Sequence, residues 1–387
     1  MTVLPSTQTL GLLGDLIGFD TVSAKSNRAL IDYVAAYLKG HGIGAEVIAS
    51  QDGAKASLWA TIGPEIDGGI VLSGHSDVVP VDGQDWSSNP FLMDIRDGRA
   101  YGRGVTDMKG FVACVLAAAP SLSRLPLKRP VHIALTYDEE VGCIGAPQLL
   151  AWLRDKPYKP AIAFIGEPTS MRVVNAHKGI MAAHTEIAGC EAHSSLAHQG
   201  VSAIGLAAQA IGILQTLEAE RAAAHVDPRF EPSRATVSVN LIGGGTAINI
   251  LAGQAWFDWD IRSIPAVDAH ELRGEFERRL ERDVIAPVRA QFAGVDAQTR
   301  VWADAPALKP EDDGEAEALA KRILGTNEVF AVPYAAEAGQ FQEAGLSTVI
   351  VGPGSIEQAH KVDEFIELSQ LAACEAFLQG LIVELVA

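Results

Sequence analysis

The sequence predicts an α/β protein: a mostly parallel sheet with helices on both faces, interrupted by a segment of different grammar. Three observations predict it. Short apolar runs at 70–72, 131–137 and 161–165 end in glycine or polar residues and alternate with stretches of helical spacing. From His177 the order changes to strand, helix, strand, strand, helix, strand. From Glu311 the first alternation resumes and leads to a further strand-like run at 347–351.

Taken in order, residues 27–39 place Leu30, Ile31, Val34 and Leu38 at helical spacing, closed by Gly40. Runs 45–49 and 56–61 read as strands. The 70–72 run reads as a buried strand leading to His75 and Asp77, which leave one face if the chain stays extended. Asp107 opens a helix to Leu122, with Phe111, Val112, Val115, Leu116 and Ala119 on one side. The 131–137 strand ends in Asp138, Glu139 and Glu140; a helix follows at 145–153, and the 161–165 strand ends in Gly166 and Glu167. The inserted part reads strand 179–188, helix 201–217, strands 235–242 and 255–262, helix 269–284 and strand 298–303, a ferredoxin-like β-α-β-β-α-β order. The glycines at 243–245 lack the spacing of a phosphate loop and read as a turn. Helix 313–324, strands 328–331 and 348–351, a loop with His360 and a terminal helix 368–386 complete the chain. The expected domains are therefore 1–174 and 305–387, two segments of one catalytic domain, with 175–304 inserted.

At 387 residues the chain exceeds one ordinary core, which also favours two domains. The formal charge of −18 argues against nucleic acid and anionic membranes as partners. No apolar run reaches the length of a membrane span, and no basic region precedes an apolar core at the N-terminus, so neither an anchor nor a secretory signal is expected. Cys114, Cys143, Cys190 and Cys374 are scattered without metal-type spacing and read as free thiols in a reducing cytoplasm.

The chemistry gathers at the element ends. His75, Asp107, Glu140, Glu167 and His360 are ligand-type residues at the ends of different elements, and open α/β sheets place their sites at the carboxyl ends of strands. Carboxylate oxygens with imidazole nitrogens suit Zn²⁺, with Co²⁺ or Mn²⁺ as substitutes, and the lack of Cys ligands points to a catalytic centre. The set exceeds what one tetrahedral ion needs. A carboxylate-bridged pair of ions, about 3.5–4 Å apart, uses all of it. Neither His-Glu-x-x-His nor Gly-x-Ser-x-Gly occurs, which removes the zincin and serine-hydrolase readings.

His75-Ser76-Asp77, Tyr101-Gly102-Arg103-Gly104 with Asp107-Met108-Lys109-Gly110, Asp138-Glu139-Glu140-Val141-Gly142, Gly166-Glu167-Pro168-Thr169, His193-Ser194-Ser195 and Gly352-Pro353-Gly354 through His360 resemble the M20 family of metal-dependent amidohydrolases and peptidases. The similarity runs from Asp20 to Phe365. It is closest to members that deacetylate N2-acetyl-L-ornithine in arginine biosynthesis. The resemblance implies that Asp107 bridges two zinc ions, with His75 and Glu167 completing one and Glu140 and His360 the other. It also implies Glu139 as general base on the attacking water, Asp77 as the carboxylate orienting His75, and a cis peptide between Asp107 and Met108.

In the family the inserted domain acts as lid and dimerisation surface. The resemblance therefore implies a homodimer in which His193 stabilises the oxyanion at a neighbouring subunit's site, with Asn240 nearby. Arg262 stands where the family holds a substrate carboxylate, although its neighbours alone suit an ion pair with Asp258 or Asp260 equally well. Glu337, expected on the rim of the site, matches a glutamate that would read the ornithine ammonium, or else supports the loop or a ligand. His177 and His198 read as surface residues. Ala252 and Val362 stand where proline is usual and Ala336 where threonine is common. None of these three is a ligand, and the substrate is what they bear on. The alternatives are another N-acyl amino acid such as N-succinyl-diaminopimelate or, outside the class, a non-catalytic metal-binding dimer.

Overall fold

A computed structural model describes residues 3–386. The chain forms two compact units. One comprises the residues before His177, Leu308–Ala331 and those from Ala336 on; the other is His177–Ala307 with Val332–Ala335.

The first unit is built on an eight-stranded sheet. Its centre is parallel: Gly69–His75 lies between Val131–Thr136 and Pro160–Ile165, and Ser347–Ile350 follows beyond the latter. The expected mostly parallel sheet is corrected here to a mixed one. Ala45–Ala49 and Ala56–Ile62 pair antiparallel, as do Ala56–Ile62 with Val131–Thr136 and Ser347–Ile350 with Val174–His177. The physical reason is connection length. A parallel neighbour needs a crossover of a dozen or more residues, and the turn between Ala49 and Ala56 is far shorter.

Successive strand residues face opposite sides, and both sides are covered. Leu58, Ile70, Leu72, Ile133 and Phe164 join one hydrophobic cluster with Leu30 and Val34 of helix Arg28–Gly40, Phe111 and Leu116 of helix Lys109–Leu122, and Phe377 and Leu381 of helix Leu368–Val386. Val71, Ala134 and Ala163 are equally buried on the other side, where Gly145–Arg154 and Ala338–Glu343 pack.

Several helix bounds differ from expectation; helix Ala203–Ala224, for one, runs past its expected end at 217. Helix Lys109–Leu122 begins two residues after Asp107, because Met108, at φ −134° and ψ 33°, is not helical; the Asp107–Met108 peptide is cis, as expected. An unexpected first helix, Thr7–Ile17, is capped by Ser6, whose side chain accepts from Thr9 N–H, and it buries Leu12, Leu13, Leu16 and Ile17. Helix Ala269–Arg279 widens into a π-helical turn at Leu280–Ile285 and continues to Arg289. The terminal helix Leu368–Val386 is, against expectation, long and apolar enough to cross a membrane by length and composition. Here Leu371, Cys374, Phe377, Leu378 and Leu381 lie in the core instead.

The second unit has a four-stranded antiparallel sheet in the order Thr236–Gly244, Gln254–Ser263, Gly179–Ala188, Asp296–Ala305. Helices Ala203–Ala224 and Ala269–Arg279 interleave with the strands along the chain. The alternation of Ala255, Phe257, Trp259 and Ile261 inward with Trp256, Asp258, Asp260 and Arg262 outward gives this sheet one buried face.

Candidate metal centre

The three central parallel strands end on one edge, and their last residues supply the site. His75 closes Gly69–His75, Glu139 and Glu140 follow Val131–Thr136, and Glu167 follows Pro160–Ile165. Gly166 N–H bonds Ser73 O over 3.0 Å, which keeps Glu167 level with His75. At Gly166 a β-carbon would run into the Phe111 ring, so only glycine fits between strand and helix there. Asp107 sits in the turn before Lys109–Leu122. That turn requires Gly104 at φ 84°, where a β-carbon would also approach Val78 Cγ1 to 2.6 Å.

Asp107 is the centre of the cluster. Its Oδ1 lies 2.9 Å from His75 Nε2 and its Oδ2 lies 3.3 Å from His360 Nε2. Glu167 Oε1 is 3.8 Å from His75 Nε2, and Glu140 Oε2 is 2.9 Å from His360 Nε2. Candidate ligand atoms of His75, Glu139 and Glu167, and likewise of His75, Asp107 and Glu140, lie within 4.8 Å of one another. The structure thus brings His75, Asp107, Glu139, Glu140, Glu167 and His360 together. His75, Asp107 and Glu167 are buried, whereas the His360 side chain is 53% exposed.

Asp77 holds the surroundings. His75 Nδ1 lies 2.9 Å from the Asp77 main-chain oxygen and 3.6 Å from its carboxylate, so the main chain is the nearer partner of this imidazole. The Asp77 carboxylate accepts from Ser23 Oγ at 2.6 Å, Glu139 N–H at 3.2 Å and Glu140 N–H at 3.4 Å. Lys55 bonds both the Ser23 carbonyl and the Asp138 carboxylate. Cys143 Sγ donates to Glu139 Oε1 at 3.3 Å.

Electrostatics shows what the donor set demands. Burial, aided by repulsion from Asp107, pushes the Glu139 and Glu140 carboxyls up to about 8 and Glu167 well above the usual range. Burial raises Glu337 to about 7. Asp107 is held low: burial opposes ionisation, but hydrogen bonds from His360 and His75 overcome it. His360, bonded to Asp107 and Glu140, is raised to about 10. Six closely grouped carboxyls (Asp77, Asp107, Glu139, Glu140, Glu167, Glu337) therefore face two imidazoles, and Glu167 Oε1 is buried without a hydrogen-bond partner. An orphaned carboxylate oxygen and uncompensated charge, with only oxygen and nitrogen donors, fit divalent cations.

Of the other expected site residues, Glu337 joins the cluster, and His193, Asn240 and Arg262 lie in the second unit. Glu337, expected on the active-site rim, stands at the N-cap position of Ala338–Glu343 without a side-chain cap bond and is 1% exposed. In the second unit His193 is exposed with Nδ1 2.7 Å from Ser195 Oγ, Asn240 is exposed at a bulge of its strand, and Arg262 Nε lies 3.2 Å from Asp260 Oδ2. His177, expected at the surface, is buried, and burial lowers it to about 4; His198 is exposed.

Glu364 and Arg103, which have no expected role, lie beside the cluster. Glu364 is buried and accepts from Gly104, Thr106 and Asp107 N–H and from Arg103 Nη1. It fixes the backbone of the Asp107 turn.

Carboxylates and two imidazoles gathered at the carboxyl end of a parallel sheet, with a glutamate beside them that bonds neither imidazole, mark a metal-dependent hydrolase. The profile of Peptidase family M20/M25/M40 matches residues 71–384, and the chain belongs to that family. An acetylornithine deacetylase of Myxococcus xanthus is 36% identical over 95% of this chain and 94% of its own length. One from Proteus mirabilis (strain HI4320) is 34% identical over 90% of this chain and 88% of its own. Among solved structures, the M20 family metallo-carboxypeptidase Sso-CP2 of Sulfolobus solfataricus superposes with a TM-score of 0.74 at 18% identity, covering 98% of this chain and 99% of that one, a likeness of fold.

Proposed function

We propose that the chain is a two-zinc amidohydrolase that converts N2-acetyl-L-ornithine and water to acetate and L-ornithine, a step of arginine biosynthesis. The observation that carries it is the division of Asp107, one oxygen toward His75 and the other toward His360. The names borne by relatives at 34% and 36% identity support the substrate.

On this reading His75, Asp107 and Glu167 hold one ion and Asp107, Glu140 and His360 the other, with Co²⁺ or Mn²⁺ as substitutes. A pair of divalent cations in such a centre lowers the pKa of water from 15.7 to about 7 and polarises the scissile carbonyl. Glu139 takes the proton of the attacking water and delivers it to the leaving amine nitrogen. Asp77 aims Glu139 by holding its main-chain N–H. Arg262 holds the α-carboxylate of the substrate and buried Glu337 its ammonium, a charge-assisted contact that contributes about 1.5–3 kcal/mol.

Residues 1–174 and 305–387 form the catalytic domain on this reading, and 175–304 a ferredoxin-like lid. The strand order of the second unit favours the latter. We propose a homodimer through that domain, with His193 and Asn240 stabilising the oxyanion at the neighbouring subunit's site. Its support is an edge strand, Thr236–Gly244, that exposes Leu241 at 58% and Ile242 at 57%, a combination that invites pairing with a second copy. The free thiols suit the cytoplasm.

The test is a panel of N-acetyl, N-formyl and N-succinyl amino acids on zinc-loaded protein. The highest kcat/KM is expected for N2-acetyl-L-ornithine. A preference for N-succinyl-diaminopimelate would move the assignment to that substrate. No hydrolysis of any member by the metal-bound protein would leave only a metal-binding dimer.

A further inference from the structure

His360 is held differently from the other side chains of the cluster. It is 53% exposed, against 1% for His75, and its backbone lies at φ 63°, where a residue with a β-carbon is strained. Burial does not hold it. Hydrogen bonds between three loops do.

Gln84 Nε2 donates to the His360 main-chain oxygen over 3.2 Å, and Gln84 Oε1 accepts from Arg103 Nη2 at 2.7 Å and Trp86 Nε1 at 2.9 Å. Arg103 Nη1 donates to the Lys361 carbonyl at 3.3 Å and to Glu364 Oε2 at 2.8 Å. Ser87 N–H donates to Asp363 Oδ1 at 2.9 Å. At the far end Glu364 Oε1 accepts from Thr106 N–H at 2.8 Å and Asp107 N–H at 3.2 Å. The network therefore runs unbroken from the main chain of His360 to the main chain of Asp107. Neither His75 nor Glu167 hydrogen-bonds Gln84, Arg103 or Glu364.

We infer that Gln84, oriented by Arg103, is a positioning residue of the His360 loop and so sets chiefly the affinity of the ion held by Asp107, Glu140 and His360. The inference rests on the two-metal reading above. A ligand on an exposed, strained loop coordinates well only if its loop is restrained, and outer partners of this kind typically change metal affinity about 10–100-fold. Gln84 restrains that loop directly. Arg103 couples it to the Asp107 turn with a planar fork that lysine does not reproduce.

The test uses the full chain, stripped with chelator and titrated with Zn²⁺ by calorimetry and with Co²⁺ by visible absorption. Wild type is expected to take up two equivalents. In Gln84→Ala, a change at a partly exposed position, one binding step weakens about 10–100-fold and the other keeps its affinity and spectrum. Arg103→Lys, which also loosens the Asp107 turn shared by both ions, weakens both steps, while the melting temperature of metal-free Gln84→Ala stays at the wild-type value. Two steps of wild-type affinity in Gln84→Ala, or equal weakening of both, overturn the inference and leave the two-metal reading intact. Fewer than two equivalents in wild type overturn that reading, and the inference with it.

Discussion

Glu139 and Glu140 are adjacent in the chain and differ in what they touch. Glu140 is bonded to the His360 imidazole, whereas Glu139 takes only the weak Cys143 thiol donor and bonds no imidazole. A carboxylate not tied to a ligand can carry a proton, so Glu139→Ala is expected to keep its metal content and lose nearly all turnover. Metal analysis and kcat measured together check this, and retention of a tenth of the wild-type kcat would contradict it. Glu337→Gln should lower kcat/KM for acetylornithine about tenfold or more and leave N-acetylmethionine hydrolysis almost unchanged, since a buried carboxylate serves a substrate ammonium and not a thioether. Equal losses on both substrates would make Glu337 a support of the site. The cluster is legible in sequence because its members are ligand types that stand directly after separate apolar runs. Glu364 is not legible in the same way. Its donors Gly104 and Thr106 lie 260 and 258 residues away, and without them Asp363-Glu364 reads like any solvated acidic pair.

Among the elements, those with clear periodicity read well and those diluted by glycine did not. Gly11, Gly14 and Gly18 interrupt and border the first helix, which hid a stripe of buried leucines from pattern reasoning. The parallel centre follows from strand–helix alternation, but the antiparallel flanks depend on pairings that no local signal specifies. The terminal helix shows how length and apolarity mislead when taken without partners. Phe377, 1% exposed, packs edge-on against Phe164 with ring centres 5.4 Å apart, whereas Val383 of the same helix is 66% exposed. Phe377→Ala is expected to destabilise the fold by about 3–5 kcal/mol, and Val383→Ala by no more than about 0.5 kcal/mol. Denaturant titration of both variants checks this; a comparable loss in Val383→Ala would mean that the outer face of the helix is covered in the working protein.

The whole molecule should respond to pH through two buried histidines, His132 and His177. Burial lowers His132, stacked on Trp59, to about 4, as it does His177. Unfolded histidine titrates near 6.5, so between these values the unfolded chain binds more protons than the folded one. That contribution to stability is complete above pH of about 6.5 and is lost as the pH falls toward 4. His132→Gln is expected to flatten the decline of melting temperature over this range, and an unchanged slope would remove His132 from the account. The central claim concerns the metal centre, and anomalous diffraction from zinc-loaded crystals tests it most directly. Two zinc peaks per chain are predicted, both about 2.0–2.2 Å from Asp107 oxygens, one also bound by His75 and Glu167 and the other by Glu140 and His360. A single peak, or a pair in which any of these five side chains pointed away from the ions, would contradict it.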